Sequence, residues 1–222
     1  LYRNKADDPN SLSFNYATDL LIDNKGRLWV ATLGGLNVYD ADRYHFIRYE
    51  KDANKTNSLS HNWIWGITQD RAGDLWLATD GGGLERLSPE TGQFTHFRHS
   101  ASDVNSLASD TLQKVLEDHN GHLWIATKDK GVDRYDPSTG IFTHFTQAKN
   151  QLSDDATLCL YEDRFHHIWV GTSSGLNRLD QKTGLFQQYR YDPLDEQSIG
   201  GNTIRSLRED RQGNLWVVTD GG

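Results

Sequence analysis

The chain has 222 residues, with 23 Lys and Arg against 31 Asp and Glu and a formal net charge of −8, a length for one large domain or two small ones. The acidic balance speaks against nucleic acid as the main partner, because a phosphate backbone asks for a basic face. No apolar run approaches the ~18 residues of a membrane-spanning helix, and no basic-then-apolar leader is visible. A single cysteine, Cys159, excludes an internal disulfide framework and any Cys-rich zinc site. Set in Leu158-Cys159-Leu160, it reads as a buried, unreactive thiol.

In chain order the first elements are a polar linker, NSLS at 10–13, a short segment TDLLID, a tight turn, and the run LWVAT. The run is rich in Trp, Val and Thr, as strands prefer. In the turn, Asp bonds its own backbone and Gly supplies a positive φ. A glycine turn opens GGLNVYD, and the unit closes on the aromatic pair of DRYHFIRY. The same order then returns. First segments read WGITQD, QKVLED, LCLYED and RSLRED; second segments read DRAGDLWLAT, DHNGHLWIAT, DRFHHIWVGT and DRQGNLWVVT. Linkers recur as NSLS at 57–60, NSLA at 105–108 and QSIG at 197–200, and Trp29, Trp76, Trp124, Trp169 and Trp216 stand 47, 48, 45 and 47 residues apart.

Four short segments in roughly 45 residues, with no helical apolar period, are the arithmetic of one propeller blade. The expected fold is therefore all-β, a single β-propeller segment over residues 1–222, built of four-stranded antiparallel blades. The repeats fall at about 3–49, 50–97, 98–145, 146–189 and 190–222, the last incomplete, which gives about four and a half blades. Tyr2 aligns with Tyr49, Phe97, Phe145 and Tyr189 as the last aromatic of a fourth strand. The expectation is a piece of a longer propeller, with exposed blade faces that invite self-association.

The fourth repeat departs from the pattern, with Phe165-His166-His167 where the others have x-Gly-x. A histidine pair without a third ligand reads as a distorted turn rather than a metal site. The Asp-x-x-Gly turns lack the alternating carboxylates and terminal Glu of a calcium loop. No metal or cofactor is expected.

The phrases D-x-x-G-x-L-W-[VIL]-[AGV]-T, G-L-x-R-x-D and T-G-x-F-x-x-[FY] resemble the two-component regulator propeller repeats. Those repeats form the sensor region of bacterial hybrid histidine kinases and related diguanylate cyclases. The resemblance covers practically the whole chain. It implies an extracytoplasmic, periplasmic propeller of an inner-membrane protein that receives a ligand and signals to a cytoplasmic output domain. The segment itself would be non-catalytic. Its partners would be a small-molecule or glycan ligand, the remaining blades of the parent protein and a second copy in a homodimer. The membrane would be reached only through flanking segments, and nucleic acid is not expected.

If each blade runs from axis to rim, the linkers and the glycine turns between second and third segments share one face. Asp23, Asp70, Asp118, Asp163 and Asp210 end the first segments. Three residues before them stand Leu20, Ile67, Val115, Leu160 and Leu207, expected in the core. Five before stand Thr18, Trp65, Gln113, Leu158 and Arg205, and seven before stand Tyr16, Trp63, Thr111, Ala156 and Thr203. Such variation suits the mouth of a central channel. Trp63 and Trp65, two apart, would share one side of a strand. With Tyr16 they could stack a sugar ring while Gln113 and Arg205 bond its hydroxyls; filling of blade-to-blade core is the competing reading. The turns add Asp80 and Lys128 to the candidate ligand site, with Asp129, Lys130, Ser173, Ser174 and Asp220 beside them. His96, His99 and His144 fall near the rim and are expected to face solvent. No G-x-S-x-G, H-E-x-x-H or phosphate loop occurs. A glycosidase would need paired acids at the mouth, so a propeller lyase or glycosidase, like a free-standing protein-binding scaffold, stays behind the sensor reading.

Overall fold

The computed structural model describes residues 1–149, 151–180 and 183–220. Blade 1 holds β1 (Ala17–Ile22), β2 (Leu28–Thr32), β3 (Gly35–Asp40) and β4 (His45–Tyr49). Blade 2 holds β5 (Ile64–Gln69), β6 (Leu75–Thr79), β7 (Leu84–Ser88) and β8 (Gln93–Phe97). Blade 3 holds β9 (Leu112–Glu117), β10 (Leu123–Thr127), β11 (Val132–Asp136) and β12 (Ile141–Phe145). Blade 4 holds β13 (Thr157–Glu162), β14 (Ile168–Thr172), β15 (Gly175–Asp180) and β16 (Leu185–Tyr189), and blade 5 holds β17 (Ile204–Glu209) and β18 (Leu215–Thr219). Every sheet is antiparallel with its strands in chain order. First strands pack on first strands of the neighbouring blades, so β1, β5, β9, β13 and β17 surround the axis.

The core is a series of layers between blades. Trp76, Ala78 and Leu84 of blade 2 pack against Leu107, Leu112, Val115, Leu123, Ile125, Tyr135 and Phe142 of blade 3, and equivalent layers join the other blades. Burying one such indole contributes on the order of 4–6 kcal/mol of transfer free energy. The linker leucines Leu59, Leu107 and Leu152 are buried too, which gives the NSLS phrase its purpose. Because β6 and β10 are covered on both faces, they read as continuous buried runs rather than alternating ones.

One bond recurs in all five blades. The indole Nε1 donates to Oδ2 of the turn aspartate, at 2.8 Å for Trp29–Asp23, 2.7 Å for Trp76–Asp70, 2.8 Å for Trp124–Asp118 and Trp169–Asp163, and 2.9 Å for Trp216–Asp210. The other carboxylate oxygen accepts backbone N–H groups of the turn, as Asp118 does from Asn120 and His122. A second recurrent contact joins blades. The residue before the aspartate accepts the backbone N–H of the preceding blade's turn: Asn24 to Gln69 (2.7 Å), Arg71 to Glu117 (3.3 Å), His119 to Glu162 (3.1 Å) and Arg164 to Glu209 (2.9 Å).

The alignment of Tyr2 has a structural counterpart. Its ring meets Phe46 edge-on with centroids 5.3 Å apart, as Tyr49 meets Phe94, Phe97 meets Phe142 and Phe145 meets Phe186. The arc of blades is open. Leu20 is 62% and Ile22 71% exposed on one flank, and Trp216 is 64% exposed on the other. Leu20 therefore corrects the expectation of a uniform core position: Ile67, Val115 and Leu207 are buried by the preceding blade, and β1 has none against it.

Two further expectations are corrected. The fourth turn is not distorted. His166 N donates to Asp163 O as Gly121 N does to Asp118 O, and His166 takes the left-handed conformation (φ 66°) that glycine holds in the other four turns. His96 and His144 are not simply solvent-facing. Their Nδ1 atoms bond Glu85 Oε2 (2.5 Å) and Asp133 Oδ1 (2.6 Å), carboxylates on third strands that are fully buried. Burial pushes Glu85 up to about 7, against the pull of His96, and the bond that the His144 ring donates to Asp133 raises His144. Cys159 is buried, and burial raises its thiol to about 12, too high for a nucleophile at neutral pH.

Candidate ligand site at the channel mouth

The geometry of the mouth begins with a bulge. In every first strand the register slips by one residue, between Ala17 and Asp19, Ile64 and Gly66, Thr157 and Cys159, and Ile204 and Ser206, and at Leu112–Lys114 opposite Ala126/Thr127. The extra residues are Thr18, Trp65, Gln113, Leu158 and Arg205, the positions whose side chains change most between repeats. A bulge releases one residue from the ladder and re-aims its side chain. It also removes the strict alternation that would have put Trp63 and Trp65 on one side. A sequence signal for it exists, because buried Ile64 and Ile67, or Ile204 and Leu207, lie an odd three residues apart.

Beyond each bulge, the backbone N–H ten residues after the turn aspartate donates to the carbonyl seven residues before it: Leu33 to Tyr16, Asp80 to Trp63, Lys128 to Thr111, Ser173 to Ala156 and Asp220 to Thr203. This bond draws the second-to-third-strand turn over the end of the first strand. The turn residue therefore stands beside the bulged one. Trp65 Nε1 donates to Asp80 Oδ2 at 3.2 Å. In blade 5 the equivalent pair is Arg205 and Asp220, joined by both arms of the guanidinium, Nε at 2.8 Å. That bond and charge hold Asp220 below and Arg205 above their ordinary ranges. Gln113 and Lys128 occupy the same two positions in blade 3, Gln113 half-buried and Lys128 exposed.

Tyr16 and Trp63 open the first strands of neighbouring blades and are 58% and 49% exposed. Among the described residues no ring contact joins them, and Trp63 meets His61 edge-on at 5.9 Å. Neither Trp63 nor half-buried Trp65 belongs to the hydrophobic layers. Nearby, Ser109 donates to Asp129 and Ser174 to Asp154, at 3.0 and 2.8 Å. The acids Asp80, Asp154 and Asp220 thus each accept a bond from their own chain.

Below the mouth a cavity of about 320 Å³ follows the axis, lined by Asp19, Ile67, Lys114, Cys159 and Arg205 among others. Lys114 Nζ reaches from blade 3 to Asp19 Oδ2 on blade 1 at 2.6 Å, and Asp19 also accepts Ile67 N. Sequence reasoning missed this pair, which joins residues 95 apart in the chain. Two larger clefts lie elsewhere, about 520 Å³ beside Tyr49, Lys51 and Phe94 and about 360 Å³ beside Trp124, Arg134 and Phe145, and neither includes a residue of the candidate ligand site read from the sequence.

Four stretches, residues 11–34, 58–81, 151–174 and 198–221, match the family described as two component regulator propeller. These four stretches are two-component regulator propeller repeats. Each matched stretch runs from the linker through the first and second strands to the following turn, and so contains the bulge and the Asp–Trp bond. Among solved structures, the chain is similar to the extracellular domain of a protein described as a one component system of B. thetaiotaomicron. The identity is 26% and the TM-score 0.78, over 98% of this chain and 29% of that one. The extracellular domain of a hybrid two component system of the same organism shares the fold at 22% identity and a TM-score of 0.63, over 95% of this chain and 39% of that one. Virginiamycin B lyase from Staphylococcus aureus does so at 12% identity and a TM-score of 0.67, over 91% and 63%. The repeat chain thus spans less than a third of the first neighbour's length. No curated protein matches it.

Proposed function

We propose that these repeats form the extracytoplasmic sensing propeller of a transmembrane signalling protein, non-catalytic in itself, that binds a small solute or glycan at the channel mouth. The observation that carries the reading is the bulge. Five blades share one frame of bonds, and the residues it re-aims differ from blade to blade: Thr, Trp, Gln, Leu and Arg. Around them Tyr16 and Trp63 offer exposed aromatic faces for an apolar sugar face. Gln113, Lys128, Asp80 and Arg205 offer donors and acceptors for hydroxyls. Similarity to extracellular domains of B. thetaiotaomicron signalling proteins supports the extracytoplasmic and receptor parts of the proposal. The kinase or cyclase output, the inner-membrane anchor and a homodimer belong to the same proposal.

The test is a tryptophan-fluorescence titration with a panel of oligosaccharides and small polar solutes, repeated with Trp63→Ala and Trp65→Ala. At least one ligand should quench the wild type and bind ~10-fold or more weakly to both variants, since truncating an aromatic hot spot costs ~2 kcal/mol or more. Quenching that survives both substitutions would move the site away from the mouth. Turnover of a panel member would replace the sensor by an enzyme.

A further inference from the structure

We propose that His119, Glu162 and His166 form a metal site that clips blade 3 to blade 4 for a zinc-class divalent cation. His119 follows the turn aspartate of blade 3, Glu162 ends β13, and His166 sits in the turn of blade 4. One atom organises them. Glu162 Oε1 has His119 Nδ1 at 2.6 Å and His166 Nδ1 at 3.3 Å, and the ligand atoms of all three lie within 4.8 Å of one another. The two imidazoles stack with centroids 4.0 Å apart and planes 27° from parallel, and each brings Nδ1 near the same carboxylate oxygen. Around a tetrahedral zinc with bonds of about 2.0–2.1 Å, ligand atoms stand about 3.4 Å apart. A small turn of the Glu162 carboxylate away from His119 reaches that spacing. Two imidazoles and a carboxylate are a donor set for zinc or a neighbouring borderline ion, with water in the fourth place.

Three further features favour a ligand role over a chance cluster. His166 is a non-glycine residue at φ 66°, where the other four turns carry glycine, a conformation that is costly for a residue with a Cβ and is kept where the side chain is needed. Neighbouring cations are turned away, Arg71 to the carbonyl of Asp118 and Arg164 to Glu209 and the carbonyl of Asp210. His167, the other half of the sequence pair, bonds Asp163 at 2.9 Å and stands outside the cluster. The third ligand that a His-His pair lacks is Glu162 of His166's own blade, and the second histidine, His119, comes from across the blade interface. The site lies on the Asp-x-x-Gly side of the propeller, opposite the channel mouth, and does not rest on the sensor proposal.

The experiment is a ZnCl₂ titration of chelator-treated protein by calorimetry and by competition with a chromophoric chelator. The variants are His166→Gly, His119→Ala and, as a control, His61→Ala. One zinc per chain should bind the wild type and the control. Affinity should fall ~100-fold in the two site variants, and zinc should raise the melting temperature only where it binds. His166→Gly restores the residue of the other four turns, so its loss of zinc cannot be ascribed to unfolding. Absence of stoichiometric binding to the wild type, or equal binding to His166→Gly, would overturn the site.

Discussion

The indole Nε1 of Trp124 donates to Oδ2 of Asp118 at 2.8 Å while its ring lies buried in the layer between blades 3 and 4. A turn and an interface are thereby fixed by one carboxylate. Burial alone would raise that carboxyl, but the bonds from Trp124 and from the amides of His122 and Asn120 outweigh it and hold it below its ordinary value.

Asp118→Ala should destabilise the protein by about 3 kcal/mol, because the indole N–H and two turn amides lose their acceptor together. Asp118→Asn, which keeps an acceptor, should cost less. The sign of the pH effect follows from the lowered carboxyl. Its stabilisation is present above the unfolded value near 4 and is lost as pH falls through the lower folded value. Urea midpoints taken from pH 6 down to pH 3 should drop for wild type and drop less for Asp118→Ala.

Glu85 acts in the opposite sense. With its folded value pushed up to about 7 by burial, the site is most favourable below the unfolded value of ~4.3 and loses stability as pH rises through 7. Glu85→Gln keeps a hydrogen-bonding group and removes the charge. The variant should gain on wild type between pH 5 and pH 8 in chemical denaturation, and a parallel pH dependence of the two proteins would refute the assignment.

The tryptophans fall into two classes. Trp76→Ala empties a buried layer and should cost about 3–5 kcal/mol. Trp63→Ala removes a half-exposed ring outside the layers and should change stability by no more than about 0.5 kcal/mol. Guanidinium unfolding of both variants distinguishes them directly.

The open flanks carry Leu20 and Ile22 on one side and Trp216 and Val218 on the other, all exposed. Two such faces on one molecule favour head-to-tail association. Sedimentation should show association that rises with concentration and is reduced by Trp216→Glu. A monomer at all concentrations would show that the flanks do not pair.

Blade architecture was legible because it rests on local chemistry repeated five times: the Asp turn, the strand run and the closing aromatic. The register of Tyr2 was legible for the same reason. Contacts between blades were not, because they depend on which face each strand turns to its neighbour. Gln69, Glu117, Glu162 and Glu209 look like ordinary polar strand ends until the preceding blade's amide is placed against them. The bulge at Trp65 was written in the odd spacing of Ile64 and Ile67, but was hidden by assuming strict alternation. His119 and His166 lie one repeat apart, and only the stacking of turns in space makes them neighbours.

The amide-to-carboxylate links between successive turns make the propeller a one-dimensional lattice with nearest-neighbour coupling. Each inner blade is held from both sides, whereas blade 1 and the two strands of blade 5 are held from one. Opening should therefore proceed like the fraying of a zipper, with β18 exchanging its amide hydrogens first and β6 and β10 last. A ligand that touches several blades at the mouth would couple those lattice sites to one another, and binding would be read out as a change in the cooperativity of the whole array.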